Sequence, residues 1–308
     1  MVRFEGHNNS NFVEEDAVLN PDDSHILSLP KYEKHVGRFN DAKDITLLTD
    51  DKLLVTDLIG SRLKVVGSKG NAVTLLAPEE ISNPWSCAKI DSDKIAVTML
   101  RNKAVVILSI NGEVISKIGD DLFEAPSGVA SLSNGNLVVS DTVTCKVSIV
   151  DSKGHLVKTL GNRDRKEECF LKPRYVCGSS SGNIIVSDAG SHCVKIFDSN
   201  GCFVRTFGSF GKEDGKLKCP YGVCTNMYGD IFVADHYNSR VSMFNGNGIF
   251  VSHILTKDHG LSHPQGLTIG PDNKLYVTHG QMKATEILVV QMSSLQSDVE
   301  QCNAISYV

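Results

Sequence analysis

The sequence predicts an all-β fold, a six-bladed β-propeller of four-stranded antiparallel blades, and three observations carry that prediction. An apolar residue stands three places before a proline at Ile81/Pro84, Phe123/Pro126, Phe170/Pro173, Leu217/Pro220 and Leu261/Pro264. Phe39/Ala42 is a proline-less first copy, so six copies begin near 39, 81, 123, 170, 217 and 261, at intervals of 42, 42, 47, 47 and 44 residues. Within the copies a β-rich run ends in aspartate, LLVTD to Asp57, LVVSD to Asp141, IIVSD to Asp188 and IFVAD to Asp235, with Met99 and His279 as the departures. Thirteen residues beyond that position comes a glycine, at Gly70, Gly112, Gly154, Gly201 and Gly248. Periods of about 40–50 residues are the spacing of propeller blades.

Each copy divides into four strands. Strand a starts at the proline, strand b is the run that ends in aspartate, strand c is the KVSIV or VKIFD run, and strand d follows the glycine hairpin. Glycine is needed there because turns such as 151–154 and 198–201 call for positive φ. Strand a carries the taper of an innermost strand: Ala88, Ala130, Cys177, Cys224 and Thr268 are small four residues after the proline position. Ser86, Gly128, Gly222 and Gly266 are small two residues after it, with Tyr175 the exception. The sixth copy has no hairpin after His279, and counting back sixteen from Ala42 lands on Ile26. Residues 25–29 are therefore expected to supply strand d of the last blade and close the ring, with 15–20 competing with 286–290 for strand c. The domain expectation is an acidic polar segment over 1–24, the propeller over 25–290 and a polar tail over 291–308.

Bulk composition narrows the setting. Residues 1–30 hold one basic and six acidic side chains, so the net charge of -5 over 308 residues comes from that segment, and the remainder is balanced. No window reaches eighteen consecutive apolar residues and the first twelve lack an apolar leader core, so no membrane association and a cytoplasmic location are expected. The nine cysteines are scattered without CxxC pairs, which fits small strand residues better than a disulfide framework or a zinc module.

The segment 219–244 carries P-x-G-[VI] followed by [VI]-[AS]-D and a basic residue, 186–208 carries the second part and 263–269 is close to the first, and here the chain resembles the NHL-repeat family. It looks most like the C-terminal propeller of animal tripartite-motif NHL proteins. That resemblance implies a propeller that selects RNA or protein targets beside separate zinc modules for ubiquitin ligation, modules absent from this sequence.

In a propeller the b–c and d–a loops open on one face. The residue after each proline position should then ring the channel mouth: Lys43, Trp85, Ser127, Arg174, Tyr221 and Gln265. Tyr175, Arg62, Arg101, Lys103, His236, Tyr237 and Arg240 complete the expected partner-binding face. Rings stack bases and cations meet phosphates, so single-stranded RNA or a protein is the expected partner, with no small-molecule substrate. Asp57, Asp141, Asp188 and Asp235 are expected to accept backbone N–H bonds within their own b–c loops. With no Walker loop, nucleophile elbow or triad, the expectation is a non-enzymatic binding module without catalytic residue, cofactor or metal. The alternative is a metal-dependent propeller enzyme, amidating-lyase-like or lactonase-like, because His192, His236, His263 and His279 all map to the loop face.

Overall fold

A computed structural model describes residues 32–292 except 36–38, 69–72, 77–78, 120 and 162–163. Six four-stranded antiparallel sheets are arranged as blades, and no α-helix occurs among the described residues. Blade 1 comprises Ala42–Thr49, Lys52–Asp57, Arg62–Gly67 and Val73–Leu76; blade 2 comprises Pro84–Lys89, Lys94–Met99, Ala104–Ser109 and Val114–Ile118. Blade 3 comprises Pro126–Ser131, Leu137–Asp141, Lys146–Val150 and Leu156–Leu160; blade 4 comprises Pro173–Gly178, Ile184–Asp188, Cys193–Phe197 and Phe203–Phe207. Blade 5 comprises Pro220–Thr225, Ile231–Asp235, Arg240–Phe244 and Phe250–Leu255. Blade 6 comprises Leu267–Ile269, Lys274–His279 and Glu286–Gln291, with Tyr32–His35 as its fourth strand. Each innermost strand a packs against that of the next blade, and strand a of blade 6 returns to that of blade 1, so the ring is closed.

The closing strand differs from the expected one. Tyr32–His35 pairs with Ile287–Val290 in the outermost position of blade 6, whereas 25–29 and 15–20 lie outside the described residues. The reason is loop length. From Val73 to Pro84 and from Ile115 to Pro126 is eleven residues, while Val157 to Pro173 and Val204 to Pro220 is sixteen. Blade 6 joins blade 1 by the short form, and eleven back from Ala42 is 31.

Between adjacent blades lie apolar cores, and the residue three before the proline position seals each one. Phe39, Ile81, Phe123, Phe170, Leu217 and Leu261 are all buried. Burial of one such side chain contributes about 1.5–3 kcal/mol, so six copies set both the spacing and the contact angle of the blades. At the waist, side chains give way to backbone. A Cβ on Gly222 would stand 2.3 Å from the Gln265 carbonyl oxygen, and one on Gly128 2.7 Å from Tyr175 Cα. Outside, the hairpin glycines Gly154 and Gly201 take φ of +88° and +69° as the turn demands.

Candidate functional site at the channel mouth

In three blades the residue before the last position of strand b fixes the mouth. Thr56 Oγ1 donates to the Trp85 carbonyl at 2.9 Å, Thr98 Oγ1 to the Ser127 carbonyl at 2.6 Å and Ser140 Oγ to the Arg174 carbonyl at 3.0 Å. Each bond runs from one blade to the residue just after the proline of the next. Three ring residues thus have backbones fixed by a neighbouring blade. The aspartates hold the loops leading into strand a: Asp57 accepts from Asn40 and Asp41 N–H, Asp141 from Glu124 and Ala125, Asp188 from Leu171 and Lys172, and Asp235 from Lys218. Bonds within the b–c loop also occur, from Val143 and Thr144 to Asp141 and from Ser191 to Asp188. The principal partner is the d–a loop, because a carboxylate at the end of strand b faces that loop across strand a.

Six of the expected face residues, Lys43, Trp85, Arg174, Tyr221, His236 and Tyr237, come together, and His263 joins them. The Arg174 guanidinium lies 5.1 Å from the Trp85 ring centroid and 4.4 Å from that of Tyr221. Lys43 Nζ lies 5.3 Å from the Trp85 ring, and His236 stacks on Tyr221 at 4.0 Å with 4° between planes. Tyr221 has room for only one group per face at such distances, so Arg174 and His236 flank it. His263 and Tyr237 meet His236 edge-on at 5.2 and 4.8 Å. Lys43 is paired with Asp41 at 2.9 Å. Arg174 has no carboxylate partner among the described residues, and its Nε, like Trp85 Nε1 and Gln265 Oε1, is buried without a hydrogen bond. Each such group costs about 1–3 kcal/mol, which marks the mouth as a place where stability is given up.

His236 is set up as a neutral base. Its Nδ1 lies 3.0 Å from the Pro264 carbonyl, which can only accept, so Nδ1 carries the proton and Nε2 the lone pair. Burial, with His263, Arg174 and Lys43 nearby adding to it against the Pro264 bond, brings its pKa down to about 4. Three residues directly before a proline, Asn83, Cys219 and His263, have positive φ, 49°, 57° and 45°. Their N–H groups are held by the previous blade, Asn83 by Ser61 Oγ at 3.4 Å, Cys219 by His192 Nδ1 at 2.9 Å and His263 by Ser239 Oγ at 3.2 Å. This backbone conformation is thus a feature of the repeat, held in place from the neighbouring blade.

Other expected residues are elsewhere or otherwise engaged. Arg240 is buried, paired with Asp235 at 2.8 Å and bonded to the carbonyls of Lys212, Glu213 and Lys216, so it ties down a d–a loop instead of facing a partner. Tyr175 is only 3% exposed and its hydroxyl crosses the channel to the Lys43 carbonyl at 2.6 Å. It closes the floor of the mouth. Lys103 is exposed and paired with Glu124 at 2.5 Å, and Arg62 and Arg101 are exposed without a described contact to the cluster. Beyond Tyr175 is a cavity of about 170 Å³ lined by Asp44, Cys87, Cys177 and Cys224. Asp44 accepts from Ile45 N–H at 2.9 Å and Cys87 N–H at 3.1 Å and lies 2.5 Å from Ser86 Oγ; burial raises its pKa to about 7. Sequence reasoning missed it. The signal was present, since Asp44 is the carboxylate at a position that holds Ser86, Gly128, Gly222 and Gly266 in other copies.

The four loop-face histidines do not assemble a metal centre among the described residues. His192 Nδ1 accepts from Cys219 N–H and His279 is buried beside Glu286, while His236 keeps its Nε2 lone pair. No three potential ligands converge among the described residues.

No protein-family model matches the sequence, and no curated protein does. Solved structures do match in fold. A gluconolactonase-type protein is 16% identical with a TM-score of 0.68, covering 86% of this chain and 92% of its own. A luciferin-regenerating enzyme is 13% identical with a TM-score of 0.66, covering 85% and 95%. Catalytically inactive virginiamycin B lyase from Staphylococcus aureus, solved with quinupristin, is 10% identical with a TM-score of 0.63, covering 86% and 100%. These support the six-bladed propeller and not a tripartite-motif subfamily, so the RNA and ubiquitin associations of that subfamily gain nothing from them. They also correct the expectation of a non-enzymatic module. That expectation rested on missing linear motifs, whereas enzymes are prominent among the propellers of this shape, and a ring that gathers single residues from separate blades leaves no linear motif. Among the described residues no helix is long and apolar enough to cross a membrane.

Proposed function

We propose that the loop-face mouth is the active site of an enzyme acting on anionic small molecules by proton transfer, with Arg174 holding the anion and His236 serving as general base. The observation that carries this reading is the stack across the mouth, in which a guanidinium without a counter-ion among the described residues lies on Tyr221 and a neutral imidazole lies on the ring's other face. In this reading Arg174 supplies fixed positive charge where negative charge grows during reaction, the usual source of the largest rate term. His236 Nε2 takes a proton from the substrate or from an attacking water, as elimination or lactone opening requires. Trp85, Tyr221 and Tyr237 supply apolar walls, and Tyr175 keeps the site blind. The likeness to a lyase and a lactonase supports this class over a purely structural ring.

Turnover of a panel of carboxylate-bearing lactones and esters tests the proposal. The expected result is activity that His236→Asn removes, since asparagine can still donate to Pro264 but cannot act as base. The pH profile should stay flat to about pH 5 and fall around pH 4, following the depressed pKa. Activity unchanged in His236→Asn, or no turnover across the panel, contradicts it.

A second reading, a protein docked on the same face, is favoured by one observation. Val143, Leu171, Phe210 and Tyr237 stand on loops of that face from blade 3 to blade 5 and are 67%, 60%, 64% and 53% exposed.

A further inference from the structure

Where blades 3, 4 and 5 meet, a basic side chain crosses each joint at one register. Lys158, opposite Ile149 on the outermost strand of blade 3, donates from Nζ to the Asn200 carbonyl of the blade 4 hairpin at 2.6 Å. Arg205, opposite Ile196 in blade 4, donates from Nη1 to the Asn247 carbonyl of the blade 5 hairpin at 3.1 Å. The lysine stem lies against the hairpin, since a Cβ on Gly201 would stand 3.2 Å from Lys158 Cδ. In blade 2 the same register, opposite Ile107, holds Ser116, which is far too short to cross. The carbonyl in the matching place is that of Lys153, one residue before Gly154 as Asn200 precedes Gly201 and Asn247 precedes Gly248. It accepts no hydrogen bond among the described residues.

Short residues also stand at this register in blades 1 and 5, Thr74 and Ser252, and between blades 2 and 3 a cavity of about 220 Å³ opens beside Ser116. Ile107, Ile115 and Ile118 wall it on one side and Leu137 on the other. At its edge Asp91 Oδ1 accepts from Asp93 and Lys94 N–H, which leaves Oδ2 only a loose partner, Lys94 Nζ at 3.8 Å. An apolar wall beside a carbonyl and a carboxylate suits a flexible aliphatic stem that ends in a cation, because the stem buries while the head stays at the polar edge. We propose that this slot binds a lysine or arginine side chain of a partner protein, in the place that Lys158 and Arg205 fill from within at the next two joints. The stem covers the isoleucines, and the cation donates to the Lys153 carbonyl and replaces Lys94 at Asp91. The strand beside the slot, Val114–Ile118, is the outer edge of its sheet, so a peptide backbone also finds groups to pair with there.

Amide resonances of Ser116 and Lys153 during titration with the capped peptide Gly-Gly-Lys-Gly-Gly, and with its norleucine counterpart, test this. Saturable shifts at both residues are expected with the lysine peptide, at an affinity at least about fivefold tighter than with norleucine. Ser116→Lys supplies the stem from within, as blade 3 does, and should abolish the shift at Lys153 with no loss of melting temperature; Ser116→Arg serves if the lysine variant fails to fold by circular dichroism. Equal affinity for the two peptides, no shift with the lysine peptide, or a shift at Lys153 that persists in the filled variant overturns the proposal. Lysine amide bound as tightly as the peptide overturns the partner protein and assigns the slot to a free amine.

Discussion

The two halves of the ring are held together by different chemistry. From blade 1 to blade 4 the joints are hydroxyl latches, Thr56, Thr98 and Ser140 each donating to the next blade, joined by Asp44 and Ser86 at the waist. The connection from blade 2 to blade 3 is short, Ile118 to Pro126. From blade 4 to blade 6 the latch residue is Ala234 in one copy, and the blade 5–6 joint is made by backbone, Gly222 N–H to the Gln265 carbonyl at 2.8 Å. Here the d–a connection into blade 5, Phe207 to Pro220, is as long as that into blade 4, Leu160 to Pro173, and Tyr221, His236, Tyr237 and His263 gather. The first half keeps the repeat and provides geometry. Where the repeat is relaxed, side chains become available for chemistry.

The largest way to break the second half is Asp235→Ala, which leaves the buried Arg240 charge without its carboxylate and should cost about 3–5 kcal/mol. Chemical denaturation reads this directly, and a loss below about 1 kcal/mol would mean that the carbonyls around Arg240 suffice. Gly222→Ala comes next: the new Cβ would meet backbone, which cannot move aside cheaply, so about 2–3 kcal/mol is expected. An unchanged melting temperature would show that blades 5 and 6 can separate without cost.

The first half is probed through pH. Asp44 keeps its proton to about pH 7 when folded against 3.8 as a free group, so between these values the folded state binds more protons and stability falls as pH rises. His236 acts oppositely: with a folded pKa near 4 against 6.5, the unfolded state binds more protons in that window, and stability is lost as pH falls through it. Asp44→Asn should therefore gain on wild type as pH rises from 4 to 8, visible as a melting-temperature difference that grows with pH. A constant difference would remove Asp44 from the pH account. Smallest is Thr56→Val, which deletes one latch and should cost about 1 kcal/mol, with the mouth otherwise intact.

The blades were legible because burial repeats. A seal such as Phe123 or Phe170 must recur at one register for every blade to pack, and the hairpin glycines must recur because the turns need positive φ. The mouth ring was legible for the same reason, as positions counted from the proline. What those residues do was not, since the Arg174–Tyr221–His236 stack brings together positions 47 and 15 residues apart. Arg240 was misplaced on the partner face because nothing in its local sequence shows that a d–a loop folds over it. The closing strand was misplaced because loops of different length coexist, and counting used the longest.

The central claim, that the mouth takes an anion on Arg174, is tested most directly by Trp85 fluorescence during titration with mandelate. The account predicts a saturable change in wild type that Arg174→Met abolishes while the melting curve is preserved. A change that persists in Arg174→Met, or none in wild type, contradicts it.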